Sequence, residues 1–506
     1  MKKLMYVLSL AAVLTLTSCG ERNNTSSEGG SSNPGTSSNT DASSSGATDH
    51  FIKEPTTIEL VSTSSYTDDL DSFIESFKKI EPMVTVTNTK ESTSYDGLKD
   101  KIVEKVAVKG YPDLAVLYPD AIGTLMDYGV VHELDSYIEN KEYGWSEDDI
   151  DDIIPAYIEE GKKYTMPGTY SLPFSKSTEA MFYNKSIIGL NLARFDSSIN
   201  GGNAISEEYI NNLTWDELFD HLAPALVAYN DTLDADHKIL RDNATYTKAV
   251  FGYDSDDNLF ITLAEQYGYG YTSVDPVTGD GKLLFNNDGM KGLVKKFKTA
   301  YDKGYFFTKG SSNGGNYTNY SFTASSALFS VGSTGGLKYQ VAAGLDTGVA
   351  RIPQAPAGQG HKNAVISQGP SICILDHQDE NRALASWLFY KHMTNEKNSL
   401  KWALDTGYSP IRYSNLDSDD YLDYSSEEGK EQYSLDMVKA RVFKYVADSK
   451  VASGLYTSPV FKGSDAARSA CGSLITTILT KEKGTVTDEV IDAEFKSAEN
   501  TAKTKM

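Results

Sequence analysis

Gly332-Ser333-Thr334-Gly335-Gly336 sets two hydroxyls among glycines directly after the apolar stretch Ala327–Val331. Between a strand and a helix, such a segment presents backbone N–H groups and hydroxyls to a phosphate or a sugar oxygen. Asp120 follows the mostly apolar run Asp113–Leu117, and its carboxylate can accept from two adjacent hydroxyls, which suits a polyol. It also stands where Asp-Ala-Ile-Gly opens a helical pattern, so a helix N-cap is the competing role. Gly310-Ser311-Ser312-Asn313-Gly314 has the spacing of a nucleophile elbow, but no helical pattern follows it and catalysis is not expected there. Asp254, Asp256, Asn258 and Glu265 are spaced as in a calcium loop, yet Leu259 occupies the place of the glycine that makes the sharp turn. A capped helix start is expected instead. The seven His show no metal-ligand spacing, and no phosphate-binding loop or dinucleotide fingerprint occurs. No cofactor, metal or catalytic centre is expected. Cys373 reads as buried strand and Cys471 as helix packing, with nothing to support a bridge between them.

The elements that must position these residues follow from periodicity. Thr57–Val61 reads as a strand, Asp68–Ile80 as a helix, Met83–Thr87 as a strand, Leu98–Val106 as a helix and Asp113–Leu117 as a strand. That alternation predicts a doubly wound α/β sheet. Helical patterns follow at Ile122–Tyr128, Trp215–Tyr229 and Met290–Lys303, and strands at Ala324–Val331 and Ala364–Leu375. The C-terminal third reads as helices at Asp379–Met393, Ser399–Asp405, Ser434–Ala447 and Ala466–Lys481. Asn200–Asn212, Asp231–Asn243 and Gly310–Asn319 read as polar loops, the last as the most mobile.

Lys2 and Lys3 precede the apolar run Leu4–Leu16, which is too short for a permanent span and fits a signal-peptide core. Leu16-Thr17-Ser18-Cys19-Gly20 resembles the lipobox of bacterial lipoproteins, which implies a diacylglycerol on the Cys19 thiol and cleavage before it. Gly20–Asp49 is rich in Ser, Gly, Asn and Thr, a composition that cannot offset its conformational entropy and predicts a disordered leash. The 506 residues carry 47 Lys+Arg against 70 Asp+Glu, a net charge of −23. Loss of Lys2 and Lys3 would take it to −25. Such a balance argues against nucleic acid or an anionic bilayer surface as the main partner. Three Cys exclude a disulfide framework, while 40 % hydrophobic residues suffice for a large core of two or more domains.

Several strings in order cover nearly the whole body: Gly110-Tyr111-Pro112-Asp113-Leu114, Leu172-Pro173-Phe174, Met181-Phe182-Tyr183-Asn184-Lys185 and Leu213-Thr214-Trp215-Asp216-Glu217-Leu218. Ala327 to Gly336, Ile352-Pro353-Gln354-Ala355-Pro356 and Thr406-Gly407-Tyr408-Ser409-Pro410 continue the series. Together they resemble the extracellular solute-binding proteins of carbohydrate-type ABC importers, above all the glycerol-3-phosphate-binding branch. The resemblance implies a periplasmic-binding-protein-like α/β fold, with two lobes joined by crossing strands and ligand in the cleft. The division implied is 1–19 signal peptide, 20–54 linker, 55–170 plus 330–377 for one lobe, and 171–329 plus 378–506 for the other. Crossings are expected near Gly168–Ser175, Ala324–Ser330 and Leu375–Glu380. A ligand that touches both lobes would stabilise their closed arrangement, the behaviour for which this protein class is a standard example.

Site residues carry over one by one. Tyr95 matches an aromatic before the second helix, and Asp120 the acidic residue that accepts from ligand hydroxyls. Ser177 matches a ligand-binding serine or sits in an ordinary crossover loop. The Gly332–Gly336 match points to Ser333 or Thr334, and Gly369 resembles a glycine whose backbone approaches ligand. Tyr408 matches the aromatic covering the ligand, or packs in the core; a Tyr ring offers sugar C–H groups a flat face and a rim hydroxyl. Two departures stand out. Where the branch has a pair of tryptophans after Gly252-Tyr253, this chain has Asp257 and Phe260. Near the branch's C-terminal arginine it has Lys462 and Arg468. An unpaired acid at 257 facing a phosphate would repel it, which favours a neutral sugar or oligosaccharide over glycerol 3-phosphate or a glycerophosphodiester.

The expectation is a monomeric, non-enzymatic binding protein, lipid-anchored at the outer face of the cell membrane, that serves importer permease subunits. The competing classes are a surface glycoside hydrolase, which needs two carboxylates about 5–9.5 Å apart, and a sensory or adhesive lipoprotein. Cys19→Ala is expected to leave a soluble or unprocessed precursor, since acylation needs the thiol. Membrane fractionation checks this, and a variant still lipidated and membrane-bound would refute it.

Overall fold

Aliphatic side chains of both parities along Leu114–Leu117 and Ile372–Ile374 demand a sheet covered on both faces. The structure, a computed structural model, describes residues 50–506 except 64–66, 276 and 359. The expected signal peptide, Cys19 and the linker up to Asp49 lie outside the described residues. Among those described, no helix is long and apolar enough to cross a membrane.

In chain order the strands are β1 (Thr56–Thr63), β2 (Val84–Ser92), β3 (Leu114–Leu117), β4 (Leu172–Pro173), β5 (Ser177–Asn184), β6 (Phe251–Tyr253) and β7 (Thr272–Val274). There follow β8 (Gly281–Leu283), β9 (Phe306–Thr308), β10 (Phe329–Ser333), β11 (Thr347–Ala350), β12 (Val365–Gln368), β13 (Ser371–Ile374) and β14 (Leu455–Tyr456). The first sheet has the order β2-β1-β3-β13-β4, with β1 parallel to β2 and β3 and with β13 antiparallel to β3. The helices Thr67–Phe77 and Tyr95–Val106 connect β1 to β2 and β2 to β3, the doubly wound α/β pattern. On one face Ile58, Leu60, Leu114, Val116 and Ile372 pack against Phe73, Phe77 and Trp387. On the other, Val61, Ala115, Leu117 and Cys373 meet Leu98, Ile102, Ile122 and Leu125. The second sheet runs β14-β12-β5-β10-β6-β9, with β11 also paired to β5, and is mixed in direction. Cys471 lies buried in the helix Ser464–Thr480, and both it and Cys373 are free thiols.

The departures from the sequence reading have physical causes. Ala364–Leu375 is two strands rather than one: Gly369 takes a φ of 94° and Pro370 lacks an N–H, so the ladder breaks and the halves join different sheets. Trp215–Tyr229 is a π-turn, Glu217–Leu222, running into the α-helix Ala223–Asp231, where Pro224 has no N–H to give the ladder. The helix Asp488–Lys503, unforeseen, buries Ile491, Phe495, Ala498 and Ala502 at helical spacing. Gly310–Asn319 is tied at both ends, the Gly310 N–H donating to Asp256 and the Thr318 N–H to Asp254. The expected division also shifts: β10 and β12 belong to the second sheet, while the helix Glu380–Met393 packs on the first.

The chain passes between the sheets at Phe174–Lys176, linking β4 to β5, and at Gly369-Pro370, linking β12 to β13. A third passage follows the helix Glu396–Thr406, where Ser409 pairs with Lys176. Ala324–Ser330 stays within the second sheet's neighbourhood, and Leu375–Glu380 leads only to a helix on the first, so neither is a crossing. A side chain at Gly369 would stand 2.1 Å from the Ser175 carbonyl oxygen, which makes glycine obligatory there. Lys176 is fully buried, and its Nζ donates to Glu160 Oε1 (2.5 Å), the Gly369 carbonyl (3.1 Å) and Ser371 Oγ (3.4 Å). One ammonium thus joins two passages and the segment before β4.

Breaking such a pair from one side strands a buried charge, whereas replacing both partners by apolar groups is often neutral. Lys176→Met is therefore expected to lose about 3–5 kcal/mol in urea unfolding, and Lys176→Met with Glu160→Leu to recover most of it. Equal losses in the single and double variants would contradict this.

Candidate functional site

Where the carboxyl ends of strands from two sheets face each other, helix N-termini converge with their unpaired N–H groups. In this chain β3 leads through Tyr118 into Pro119–Asp127, β6 leads through Ser255 into Asp256–Tyr267, and Ser464–Thr480 begins nearby. Asp96, Asp120, Asp256, Asp257 and Asp465 all sit in first helical turns, where the helix dipole favours a negative charge. The cleft is consequently rich in carboxylates for a structural reason before any ligand is considered.

The cleft has two joined chambers. The smaller, about 490 Å³, takes Tyr95, Lys99, Tyr118 and Asp120 from the first lobe and Asp257, Asn258, Gln368 and Arg468 from the second. The larger, about 1090 Å³, is walled mainly by the second lobe: Asp254, Asp256, Lys309, Tyr317, Tyr320, Ser333, Tyr339, Gln340 and Thr476. Tyr118, Asp257, Asn258 and Gln368 belong to both.

A polar network forms the floor where the chambers meet. Asn258 Nδ2 donates to Glu179 Oε1 (2.8 Å) and Gln368 Oε1 (2.9 Å), and the Tyr253 hydroxyl donates to Glu179 Oε2. Arg468 donates to Asn258 Oδ1, and its Nε lies 2.5 Å from Asp257 Oδ2. Burial pushes the Glu179 carboxyl up to about 7 despite bonds from Tyr253 and Asn258. Burial likewise raises Asp254, to about 6, and Asp120, the latter against Arg468 and a bond from Ser464. For Asp257 the same burial is outweighed by Arg468 and Ser255, and its carboxyl is lowered. Burial would lower Arg468, but Asp257 and Asp120 hold it raised.

The expected site residues divide into groups. Tyr95, Asp120, Ser333 and Arg468 line the cleft. Asp120 lies within the first turn, with Tyr118 at the cap position, so it is not the N-cap, and its Oδ1 accepts from Ser464 Oγ at 2.7 Å. Ser177 is buried at the start of β5 and accepts from Ser333 Oγ at 3.3 Å. Thr334 is buried and accepts from the Thr178 N–H, so of the two hydroxyls only Ser333 faces the cavity. Gly369 is a hinge position, approached by the chain's own Ser175. Tyr408 stacks on Trp402 (6.5 Å, 5°) and lines a small crevice with Tyr95, to which it is hydrogen-bonded.

Three expectations need correcting. Phe260 is fully buried, packed edge-on against Phe285 at 6.0 Å, because its place in the helix turns it into the second lobe's core. Lys462 is exposed and acts on the charge of Asp127 rather than lining either chamber. Asp257 is not an unpaired like charge, since Arg468 neutralises it. Arg468, which lines the smaller chamber, gives its Nε to Asp257 and a terminal nitrogen to Asn258, so a phosphate there would share the guanidinium with Asp257.

The sequence reading missed Tyr118, Glu179, Tyr317, Tyr320, Tyr339, Gln340 and the direct role of Asp254 in the wall. Glu179 carried a signal, a lone carboxylate leading into Ala180-Met181-Phe182. The three tyrosines lie in polar strings where nothing marks them as sharing a wall. Ser312, the elbow position, donates to the Lys309 and Asn316 carbonyls, and Ser255 caps the helix that a calcium loop would have replaced.

The model of one protein family, described as "Bacterial extracellular solute-binding protein", matches residues 72–426. Among curated proteins none matches significantly. The fold resembles that of UgpB from Mycobacterium tuberculosis, solved with glycerophosphocholine, with a TM-score of 0.62, 17 % identity and coverage of 88 % of this chain and 97 % of that one. The cyclic alpha-maltosyl-1,6-maltose binding protein of Arthrobacter globiformis gives 0.61 and 15 %, covering 89 % and 100 %. Maltose-bound MalE3 of T. maritima gives 0.61 and 14 %, covering 88 % and 99 %. At these identities the likeness shows the fold.

Glu179 titrates near 7 when folded against an ordinary value of 4.5, so the native chain keeps a proton that the unfolded chain releases between those values. Stability from this group is complete below about pH 4.5 and is lost as pH rises towards 7. Between about pH 5 and pH 8, Glu179→Gln is expected to lose less thermal stability than the unaltered protein. Parallel calorimetric melting curves would refute the raised carboxyl.

Proposed function

The chain belongs to the bacterial extracellular solute-binding protein family, a non-enzymatic family, and from that premise we propose that its solute is an uncharged carbohydrate delivered to the permease of an ABC importer. The observation that carries this reading is the cleft wall, where tyrosine faces stand beside carboxylates while the cations are already engaged. Arg468 is paired with Asp257, Lys99 lies 3.8 Å from Asp465, and Lys309 sits over the Tyr317 ring at 3.9 Å. A carboxylate accepts from hydroxyls, and a ring face covers sugar C–H groups. A phosphate would have to share Arg468 or Lys99 with a carboxylate or draw Lys309 off the Tyr317 ring, and would lie among carboxylates, an expensive arrangement in a partly buried site.

Closure is the second part of the reading. Tyr95, Tyr118 and Asp120 come from one lobe, and Asn258, Gln368 and Arg468 from the other. A sugar contacting both sets binds the closed arrangement better and shifts the population toward it. The names of two structural relatives, which refer to maltose and a cyclic maltosyl-maltose, support the carbohydrate class, while the glycerophosphocholine relative supports the phosphodiester alternative. The resemblance of Leu16–Gly20 to a lipobox supports a lipid tether through Cys19.

Calorimetry of the soluble body from residue 50 with neutral oligosaccharides, glycerol 3-phosphate and glycerophosphocholine tests the proposal. A neutral sugar is expected to bind with a dissociation constant on the order of micromolar, about −8 kcal/mol, and glycerol 3-phosphate not to bind. Tight binding of glycerol 3-phosphate or glycerophosphocholine without sugar binding would overturn it.

A further inference from the structure

Val460 and Phe461 are each 4 % exposed, yet neither belongs to the main apolar cluster of either lobe. What buries them lies on both sides of the boundary. Val460 stands on Gly123, in the first lobe's helix Pro119–Asp127, where an added Cβ would overlap Val460 Cγ1. Phe461 covers Gly281 of β8, a hairpin strand of the second lobe, where an added Cβ would fall inside its ring. The segment Thr457–Ser464 that carries both side chains leaves the second sheet at β14 and returns to the second lobe as the helix Ser464–Thr480. Between these points it is bonded to the first lobe three times. The Val460 N–H donates to the Lys163 carbonyl (3.1 Å), Lys163 Nζ donates to Thr457 Oγ1 (2.6 Å), and Ser464 Oγ donates to Asp120 Oδ1 (2.7 Å). Asp465, the next residue, lies 3.8 Å from Lys99. The turn between β7 and β8 adds one more touch, since a Cβ on Gly279 would stand 3.3 Å from Thr165 Cβ.

These contacts use the chain's own atoms. A main-chain hydrogen bond and an apolar side chain shut away from water stabilise the joined lobes without any solute between them. Parting the lobes at this place would expose Val460 and break the bond to Lys163. The segment is also stiff where it crosses, because Pro459 fixes its own φ and holds Ser458 to extended backbone. Thr457, Ser458 and Val460 wall the smaller chamber, and none of the three reaches the larger. The segment therefore runs along the narrow end of the cleft.

We propose that Thr457–Ser464 is a strap that fastens the narrow end of the cleft whether or not solute is bound, so that the lobes part at the broad end. A protein fastened in this way populates arrangements near the closed one before solute arrives, and less affinity is lost to an unpopulated closed state. The strap is a property of the chain alone and holds for any solute.

Paired cysteines test it. An added Cβ at Gly123 lies 3.8 Å from Val460 Cβ, within the roughly 3.5–4.5 Å that a disulfide spans. The body from His50 onward forms one compact unit, and its own thiols, Cys373 and Cys471, are buried. In that body, purified without solute, Gly123→Cys with Val460→Cys is expected to lose both introduced thiols on mild oxidation, counted after denaturation. Its radius of gyration in small-angle scattering is expected to be the same reduced and oxidised. Gly123→Leu, whose side chain cannot share the space with Val460, is expected to raise that radius, with melting curves to check folding. Introduced thiols that stay free, an oxidised form more compact than the reduced one, or a folded Gly123→Leu variant of unaltered radius would overturn the strap. If the leucine variant does not fold, the cysteine pair decides alone.

Discussion

The Lys176 ammonium is fully buried and has three acceptors from other parts of the chain: Glu160, the Gly369 carbonyl and Ser371. Its own carbonyl accepts from the Ser409 N–H at 2.7 Å. All three passages between the sheets therefore meet at one residue. A buried ion pair adds little net stability by itself, because desolvation consumes most of the attraction. It does impose geometry, since any arrangement that separates these groups leaves a charge unpaired in the interior. The relation between the lobes, and so the width of the cleft, depends on this cluster and on Gly369, where no side chain fits.

The cleft's chemistry follows from the fold's own electrostatics. Strands ending at the cleft hand over to helices, and first turns attract carboxylates. The resulting negative surface would repel an anion and is partly offset by Arg468, which Asp257 and Asn258 hold in place. Burial raises the Glu179 and Asp254 carboxyls towards protonation against the hydrogen bonds they accept. Such groups serve as hydrogen-bond partners more than as charges. The neutral polyhydroxyl ligand proposed above would meet them without burying a charge of its own.

The two lobes share the work unequally. The first contributes Tyr95, Tyr118 and Asp120 at the narrow end. The second builds the broad end from the segment Tyr317–Tyr320, the turn after β10 and one face of Ser464–Thr480. A ligand seated at the narrow end touches residues of both lobes, whereas one seated at the broad end meets mainly the second.

Much of this was legible in the sequence. Period-two and period-3.6 patterns located β1, β3 and the helices around them, because apolar burial on known faces is a local signal. The ordered strings from Gly110 to Pro410 carried the family, and Tyr95, Asp120, Ser333 and Arg468 were found at the cleft because each follows a strand or opens a helix. Other features needed the folded chain. Whether Asp257 repels or is neutralised depended on Arg468, more than two hundred residues away. Phe260 and Tyr339 are both aromatic, yet one is core and the other wall, since helix rotation and loop path determine which face meets solvent. The single strand expected over Ala364–Leu375 became two strands in two sheets, because Gly369 takes a positive φ and Pro370 offers no N–H to the ladder. Composition and periodicity report what a segment must bury; only tertiary contact determines against which partner, and a binding site consists of those partnerships.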